Sequence, residues 1–420
     1  MVNEDLKICL INSPNPYLVD KEVFPPLGLM YLSSMMKQYG YNNITLVDMI
    51  GKTKIEKVYA DIFFIYVGTP QSNYTRYLVR QLKEINPNAM FIAGGPHASV
   101  APKDLNYFDN VVIGEGEMAC MRILKDYPFI YGKPYYEDKI DINSIPFPDR
   151  SLIDIHKYAE GYKLSGTPST TYISSRGCSY GKCAFCCKYW SGKVRYRSAM
   201  NIYEEIRHVQ NKYGINGAAF FDDDLLSNKL RIYELCRLIK PLDIKWRCLS
   251  RISSLNKKII KTITDAGCEE IALGIESGDQ NILNTVSKNI NLEKAKNIIK
   301  ILKDYNVRVK ELFIIGLPGE SKESLYNTEK FIQETQPYDI DLTIFSPFPG
   351  SDIYTNKDKY DIEFNPKCKG FYKAMKGIYS NACKISTSHL TFEEIIKARD
   401  DIELRNKPEH KIMTNENKIN

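Results

Sequence analysis

No stretch of this 420-residue chain is apolar for long enough to cross a membrane, which argues against a transmembrane protein. The opening "MVNEDLKICLINSP" has no basic lead and no small-residue cleavage site, so an export signal is not expected and the cytoplasm is. No internal repeat appears beyond an alternation of strand and helix. Charge of one sign is also scarce: the net +6 is modest for the length, predicting a solvated surface and no nucleic-acid partner. A second CxxC pair is missing, and a structural zinc normally wants four ligands, usually as two separated pairs. The eleven cysteines can pair only incompletely, and in a reducing compartment clustered thiols point to metal ligands before bridges. What remains is ordinary globular material, 43% hydrophobic and 26% charged, too long for one core. Two domains with a small tail are expected.

Residues 1–130 alternate β-branched runs with helical patterns: "LKICLI", "LGLMYLSSMMKQYG", "ITLVD", "DIFFIYVG", "NYTRYLVRQLKEI", "AMFIAGG" and "NVVIGEGE". Such alternation predicts an open parallel sheet wrapped by helices. Residues 131–168 are rich in Pro, Tyr and Asp and read as a linker. A second alternation over 169–354 supplies six strands, "TTYISSR", "GAAFFDDD", "IKWRCLSR", "CEEIALGIES", "VRVKELFIIGLPGE" and "DIDLTIFSPFPG", each but the last followed by a helical pattern. Six units in a row predict a partial (β/α)6 barrel with its chemistry at the C-terminal strand ends. Residues 355–404 form a short appendage closing on an amphipathic helix, and 405–420 are too polar to fold alone.

The loop after the first barrel strand holds Cys178, Cys183 and Cys186, with Cys187 directly behind. Three close thiolates suit a [4Fe–4S] cluster with one iron left open, whereas electron-transfer ferredoxins use all four corners. Adjacent cysteines point in different directions, so Cys187 reads as packing, while Phe185 stands where it would shield the cluster.

In that order, the cysteine loop, "FFDDD", "GIESGD", "FIIGLPGE" and "FSPFPGS" resemble the radical S-adenosylmethionine (radical SAM) superfamily. The N-terminal "PPLGLMYL", "AGGPH" and "VIGEGE" resemble the cobalamin-binding domain fused to such barrels in one large subgroup. The fold class implied is α/β: an N-terminal Rossmann-like cobalamin-binding domain, then a partial (β/α)6 radical SAM barrel and a short C-terminal appendage. The implied cofactors are a [4Fe–4S] cluster, S-adenosylmethionine and cobalamin. By the same resemblance, S-adenosylmethionine chelates the open iron and is cleaved to a 5′-deoxyadenosyl radical that abstracts hydrogen from an unactivated carbon. One departure stands out: "CSYGKC" places four residues between the first two cysteines where the family has three. Gly181 can absorb the extra residue at positive φ.

The resemblance assigns Glu276 and Ser277, with Gly274 beside them, to S-adenosylmethionine at the end of the fourth strand. Gly316 and Pro318 mark a turn whose backbone meets the adenine edge, and Arg251 suits the carboxylate of the same ligand. An N-cap role for Glu276, a purely structural turn and a structural ion pair are the respective alternatives. Of "DDD" at 222–224 at most two side chains share a face, in a loop-organising role. Trp246, Phe345 and Tyr172 read as core. For cobalamin the candidates are Thr69, Gln71, Ser72, Gly94, Gly95 and Pro96. The DxHxxG pattern of a histidine cobalt ligand is absent, as is usual in the subgroup. Only twelve residues separate Asp48 from Asp61, little room for the second crossover helix.

The function expected is cobalamin-dependent methylation of an unactivated carbon in a small molecule, with electrons from an external flavodoxin or ferredoxin. A radical cyclase or rearrangement enzyme with a degenerate cobalamin domain is the alternative, and a non-enzymatic iron–sulfur scaffold or sensor belongs to another class.

Overall fold

The computed structural model describes residues 4–15, 23–50, 52, 57–129, 134–136, 140–187, 193–364 and 384–407. By its contacts the chain divides into two units. One comprises Met1–Gly177, Cys187–Ala219 and Phe348–Gly350, the other Cys178–Cys186, Phe220–Pro347 and Ser351–Asn420.

In the first unit, strands β1 (Ile8–Asn12), β2 (Ile44–Asp48), β3 (Ile62–Tyr66), β4 (Met90–Gly94), β5 (Asn110–Ile113) and β6 (Tyr135–Tyr136) form a sheet in the order β2-β1-β3-β4-β5-β6. Every pairing is parallel. Alternation along the central strands splits the core in two. Ile8, Leu10, Ile62, Phe64 and Ile92 pack with helices Leu27–Gln38 and Gly116–Asp126 on one face. Cys9, Ile11, Phe63, Ile65 and Phe91 meet helix Ser72–Ile85 on the other. A strand covered on both faces is apolar at every position, which is why "ICLI" and "IFFI" carry no polar alternation. The expected shortage between β2 and β3 is visible: no helix occurs among the described residues of 49–61, with 51 and 53–56 outside the description.

The segment expected to be a bare linker is more ordered than its composition suggests. It contributes β6, the helix Ile155–Gly161 and a hairpin of β7 (Lys163–Leu164) with β8 (Thr167–Tyr172). Ser165 and Gly166, both at positive φ, supply the turn. The run read as "TTYISSR" splits, because Ser175–Arg176 leaves β8 as β9 and pairs antiparallel with β10 (Arg195–Tyr196). The strand β11 (Gly217–Phe220) follows.

In the second unit β12 (Lys245–Ser250), β13 (Cys268–Glu276), β14 (Arg308–Ile315) and β15 (Asp339–Ile344) pair in parallel in chain order, as in the curled sheet of a partial barrel. Helices Lys229–Ile239, Lys257–Thr264, Gln280–Thr285, Leu292–Asp304 and Lys322–Thr335 follow the strands. Each begins on a side-chain cap, from Asn228, Asn256, Asp279, Asn291 and Ser321 in turn. That placement of Asn, Asp and Ser fixes where the loops end and the site-forming turns begin. Among its described residues the appendage contains the pair β16 (Glu363–Phe364) and β17 (Ile385–Ser386) and the helix Phe392–Asn406. The expected tail lies outside the description from 408 onward. Among the described residues no helix is long and apolar enough to cross a membrane.

Candidate functional site

The cysteine loop is held by backbone rather than by its thiols. Ala184 donates its N–H to the Val286 carbonyl (2.9 Å) and accepts from the Ile353 N–H (3.1 Å). Cys186 N–H closes a turn onto the Cys183 carbonyl at 3.2 Å. Gly181 sits at φ +59, as the extra residue in "CSYGKC" requires. Cys178 is half-buried, Cys183 buried and Cys186 exposed, and none is in a disulfide. Among the described residues no three His, Cys, Asp or Glu side chains converge on a single metal ion. The three thiols stand on one short loop whose backbone is fixed, and three closely spaced thiolates are the donor type that a [4Fe–4S] cluster takes. Cys187 points elsewhere: its thiol donates to the Pro349 carbonyl at 3.2 Å, and burial pushes its pKa up.

Two anchors join this loop to the strand ends. Asp224, buried at 1% exposure, accepts four hydrogen bonds: from the hydroxyls of Ser179 (2.8 Å), Ser250 (3.0 Å) and Ser254 (2.9 Å) and the N–H of Arg251 (3.3 Å). Of the three aspartates Asp222 and Asp224 are buried and Asp223 is exposed, in keeping with alternation and a loop-organising role. The second anchor is the turn at 286–288. Tyr180 donates its hydroxyl to the Ser287 carbonyl (2.8 Å), and its ring lies 4.3 Å from the Arg251 guanidinium. Arg251 donates in turn to the Lys288 carbonyl (3.2 Å). Lys288 reaches Glu276 at 2.6 Å and stands 5.9 Å from the Phe185 ring. Phe185, Arg251, Gly274 and Glu276 are therefore brought together around Lys288, a residue the motif reading did not mark. Its signal in the sequence is faint: Ser287 and Asn289 flank it, both at positive φ, which short polar side chains tolerate better than most.

Glu276 itself sits at φ +72, beside a register shift between Gly274 and Glu276. A non-glycine residue held there costs roughly 1–3 kcal/mol, the kind of strain that gathers at ligand sites. A Cβ on Gly274 would stand 2.4 Å from Glu276 Oε1 and 3.0 Å from Lys288 Nζ, so only glycine leaves the ion pair in place. The N-cap of the next helix is Asp279, not Glu276. Ser277 turns away from the pair; its hydroxyl meets Asp279 N–H (3.2 Å) and Thr328 Oγ1 (3.3 Å).

Gly316, at φ +89, and the buried Pro318 form the turn after β14. The space a Gly316 side chain would need is filled by Ile385 and Ile395 of the appendage. Glu320 bonds the Gly316 N–H through one oxygen, while its Oε1 has no hydrogen-bond partner among the described residues. Burial pushes its pKa up to about 8, as it does for Glu311 on β14. Folded protein therefore holds protons that an unfolded glutamate releases near 4.5, and stability falls as pH climbs from about 4.5 to 8. Glu320→Gln should remove its share of that slope and raise the thermal midpoint at pH 8 more than at pH 5. Equal shifts at both values would rule this out.

In the first unit the strand order reverses between β1 and β3, the switch point at which open α/β sheets bind ligands. The loops there are stitched together: Gln71 donates to the Ser13 carbonyl (2.9 Å), accepts from Gly68 N–H (3.1 Å), and Ser72 bonds the Thr69 carbonyl (3.0 Å). Thr69 Oγ1 meets His97 Nδ1 at 3.3 Å. The polar groups of Thr69 and Gln71 are thus engaged inside the protein. Gly94 ends β4 beside open space, with nothing within 4 Å of a built Cβ, and Gly95 at φ +102 leads into Pro96 and its helix. That open strand end beside the switch point fits a corrin nucleotide tail.

Two family profiles match, the radical SAM superfamily over residues 172–332 and the B12 binding domain over 18–124. Among curated relatives, an uncharacterised methyltransferase of Pyrococcus horikoshii is 29% identical over 83% of this chain and 82% of its own length. An anaerobic magnesium-protoporphyrin IX monomethyl ester cyclase of Cereibacter sphaeroides is 24% identical over 79% of this chain and 60% of its own length. The fold is similar to that of the radical S-adenosylmethionine methyltransferase TsrM from Kitasatospora setae with cobalamin and [4Fe–4S] cluster bound. That likeness has a TM-score of 0.71 at 12% identity and covers 94% of this chain and 91% of TsrM.

Proposed function

The chain belongs to the radical SAM superfamily, in the group with a B12-binding domain ahead of the barrel, and from that membership we propose that it methylates an unactivated carbon of a small molecule. The observation that carries this reading is the meeting of a braced three-thiol loop with the strained Glu276–Lys288 pair. When bound, the cluster and S-adenosylmethionine supply hydrogen-atom abstraction and cobalamin supplies a methyl group for transfer.

Within that scheme Cys178, Cys183 and Cys186 hold the cluster, and Phe185 screens one side of it from water. Lys288 fixes the Glu276 carboxylate, which accepts from the amino group or a ribose hydroxyl of S-adenosylmethionine. Arg251, propped on Tyr180, meets that ligand's carboxylate, with Gly274 and Ser277 shaping the turn and the Gly316–Pro318 backbone bordering the adenine. In the B12-binding domain the open space at Gly94, followed by the turn at Gly95 and Pro96, takes the nucleotide tail, and the segment Thr69–Gln71–Ser72 borders the corrin. All nine described cysteines are free, which suits the reducing cytoplasm and an external flavodoxin or ferredoxin as electron donor.

Anaerobic reconstitution with iron, sulfide and hydroxocobalamin tests this directly. About four irons and one cobalt per chain are expected, with 5′-deoxyadenosine formed on reduction in the presence of S-adenosylmethionine. No 5′-deoxyadenosine would sink the radical reading. Four irons without cobalt would keep it and remove methyl transfer.

A further inference from the structure

The face of the second unit's sheet turned away from its helices is not apolar. On β14, Glu311 and Phe313 reach helix Lys322–Thr335, through Thr335 Oγ1 (3.2 Å) and the Phe331 ring (centroids 6.3 Å apart). Arg308, Lys310 and Leu312 alternate with them and lie on the opposite face. In register with these are Arg247 and Glu270, then Leu249, Ala272 and Asp339, then Gly274 and Asp341. Gly274 and Ala272 leave the middle of β13 without side-chain bulk. The Glu276–Lys288 pair stands over Gly274, and Lys310 pairs with Asp339 at 3.1 Å one same-face step away, about 7 Å along the strand. Between the two ion pairs runs a shallow trough along β13, about 7 Å long, floored by Gly274 and Ala272 and flanked by Leu249 and Leu312.

The lower ion pair is incompletely satisfied. Asp339 is 8% exposed, yet only Oδ2 meets Lys310, and Oδ1 has no hydrogen-bond partner among the described residues. Arg308 forms long ion pairs with Glu269 (3.5 Å) and Glu270 (3.8 Å) and lies 5.1 Å from the Tyr338 ring, while its Nε makes no hydrogen bond among the described residues. A buried acceptor left open, as Asp339 Oδ1 is, costs free energy unless a ligand or water completes it.

We propose that the substrate occupies this trough and is a small amino-acid-type zwitterion. Its carboxylate or phosphonate lies at Lys310 and Arg308, and its ammonium donates to Asp339 Oδ1. Reach agrees with that placement, since a carbon some 7 Å from Lys310 lies beside the Glu276 site. The assignment rests on the radical SAM reading for what happens to the substrate, but not for what binds.

The test uses the reconstituted full chain with S-adenosylmethionine. Calorimetric titration with the common α-amino acids and with 2-aminoethylphosphonate is run beside reduced turnover, counting 5′-deoxyadenosine. A magnesium-protoporphyrin monomethyl ester serves as the large apolar comparison. At least one zwitterion should bind and raise 5′-deoxyadenosine formation, and the macrocycle should do neither. Lys310→Met and Asp339→Asn should raise that zwitterion's Kd and KM about tenfold or more, with kcat changed far less. Exchanging the two, Lys310→Asp with Asp339→Lys, keeps a structural ion pair but reverses its polarity, and should also lose the zwitterion. No zwitterion binding, preference for the macrocycle, or a charge-exchanged variant with unchanged Kd would overturn the proposal. Binding without any 5′-deoxyadenosine would uphold the trough and remove the radical reading, and turnover without zwitterion binding would do the reverse.

Discussion

Cys183→Ser should leave reconstituted protein with little bound iron and cut 5′-deoxyadenosine formation by roughly a thousandfold or more, several kcal/mol of lost catalysis. The size follows from the way the loop is built. Ala184 is fixed through both its N–H and its carbonyl, and Tyr180 and Ser179 are bonded to other segments. The loop's position therefore does not depend on the thiol, and the substitution removes a ligand without moving its neighbours. A three-thiol site has no spare ligand, since the fourth corner is needed for S-adenosylmethionine. Cys187→Ser is the internal comparison. Its thiol is occupied by the Pro349 carbonyl and its ionisation is opposed by burial, so iron content and turnover should stay near the parent's. Iron counting with the 5′-deoxyadenosine assay checks both. If Cys187→Ser loses as much iron as Cys183→Ser, the ligand set is wrong.

Much of this was legible in the sequence because it depends on local periodicity and turn chemistry. The doubly buried strands of the first sheet read as continuous apolar runs, and the positive φ of Gly181 followed from counting one residue too many in "CSYGKC". Adjacency alone set Cys187 apart from the three thiols proposed as ligands, and its thiol bonds the Pro349 carbonyl. Less legible were features set by register and long-range packing. The ordered hairpin inside residues 131–168 gains its stability from pairing, which composition does not report. Lys288 lies twelve residues beyond Glu276, across a helix, and nothing in that spacing announces a 2.6 Å ion pair. The charged face of β12–β15 was invisible for a related reason. Its lysines, arginines and carboxylates look like solvated strand residues until the register places Arg247, Glu270 and Arg308 in one row. The "DDD" run gave the right role without the right residue, because only coordinates show that Asp224 gathers the donors.

Asp224→Ala should destabilise the second unit by about 3–5 kcal/mol and shorten the lifetime of its cluster. A buried carboxylate with four donors is balanced only while all four are present. Removing it strands the buried hydroxyls of Ser250 and Ser254 and the N–H of Arg251, and releases the exposed Ser179 to solvent. The loss reaches three segments at once: the cysteine loop, the end of β12 and the short turn Ile252–Ser254. Arg251 would lose the backbone bond that sets its guanidinium over Tyr180, so affinity for S-adenosylmethionine should weaken as well. Ser179→Ala removes one donor and leaves the carboxylate three, which should cost about 1 kcal/mol. Thermal unfolding of the apo chain, the rate of iron loss to a chelator and the Kd for S-adenosylmethionine should therefore all rank Asp224→Ala well beyond Ser179→Ala. Matching values for the two variants would mean that Asp224 does not brace the loop, and that the cluster site is held by the backbone bonds of Ala184 and the Tyr180 hydroxyl alone.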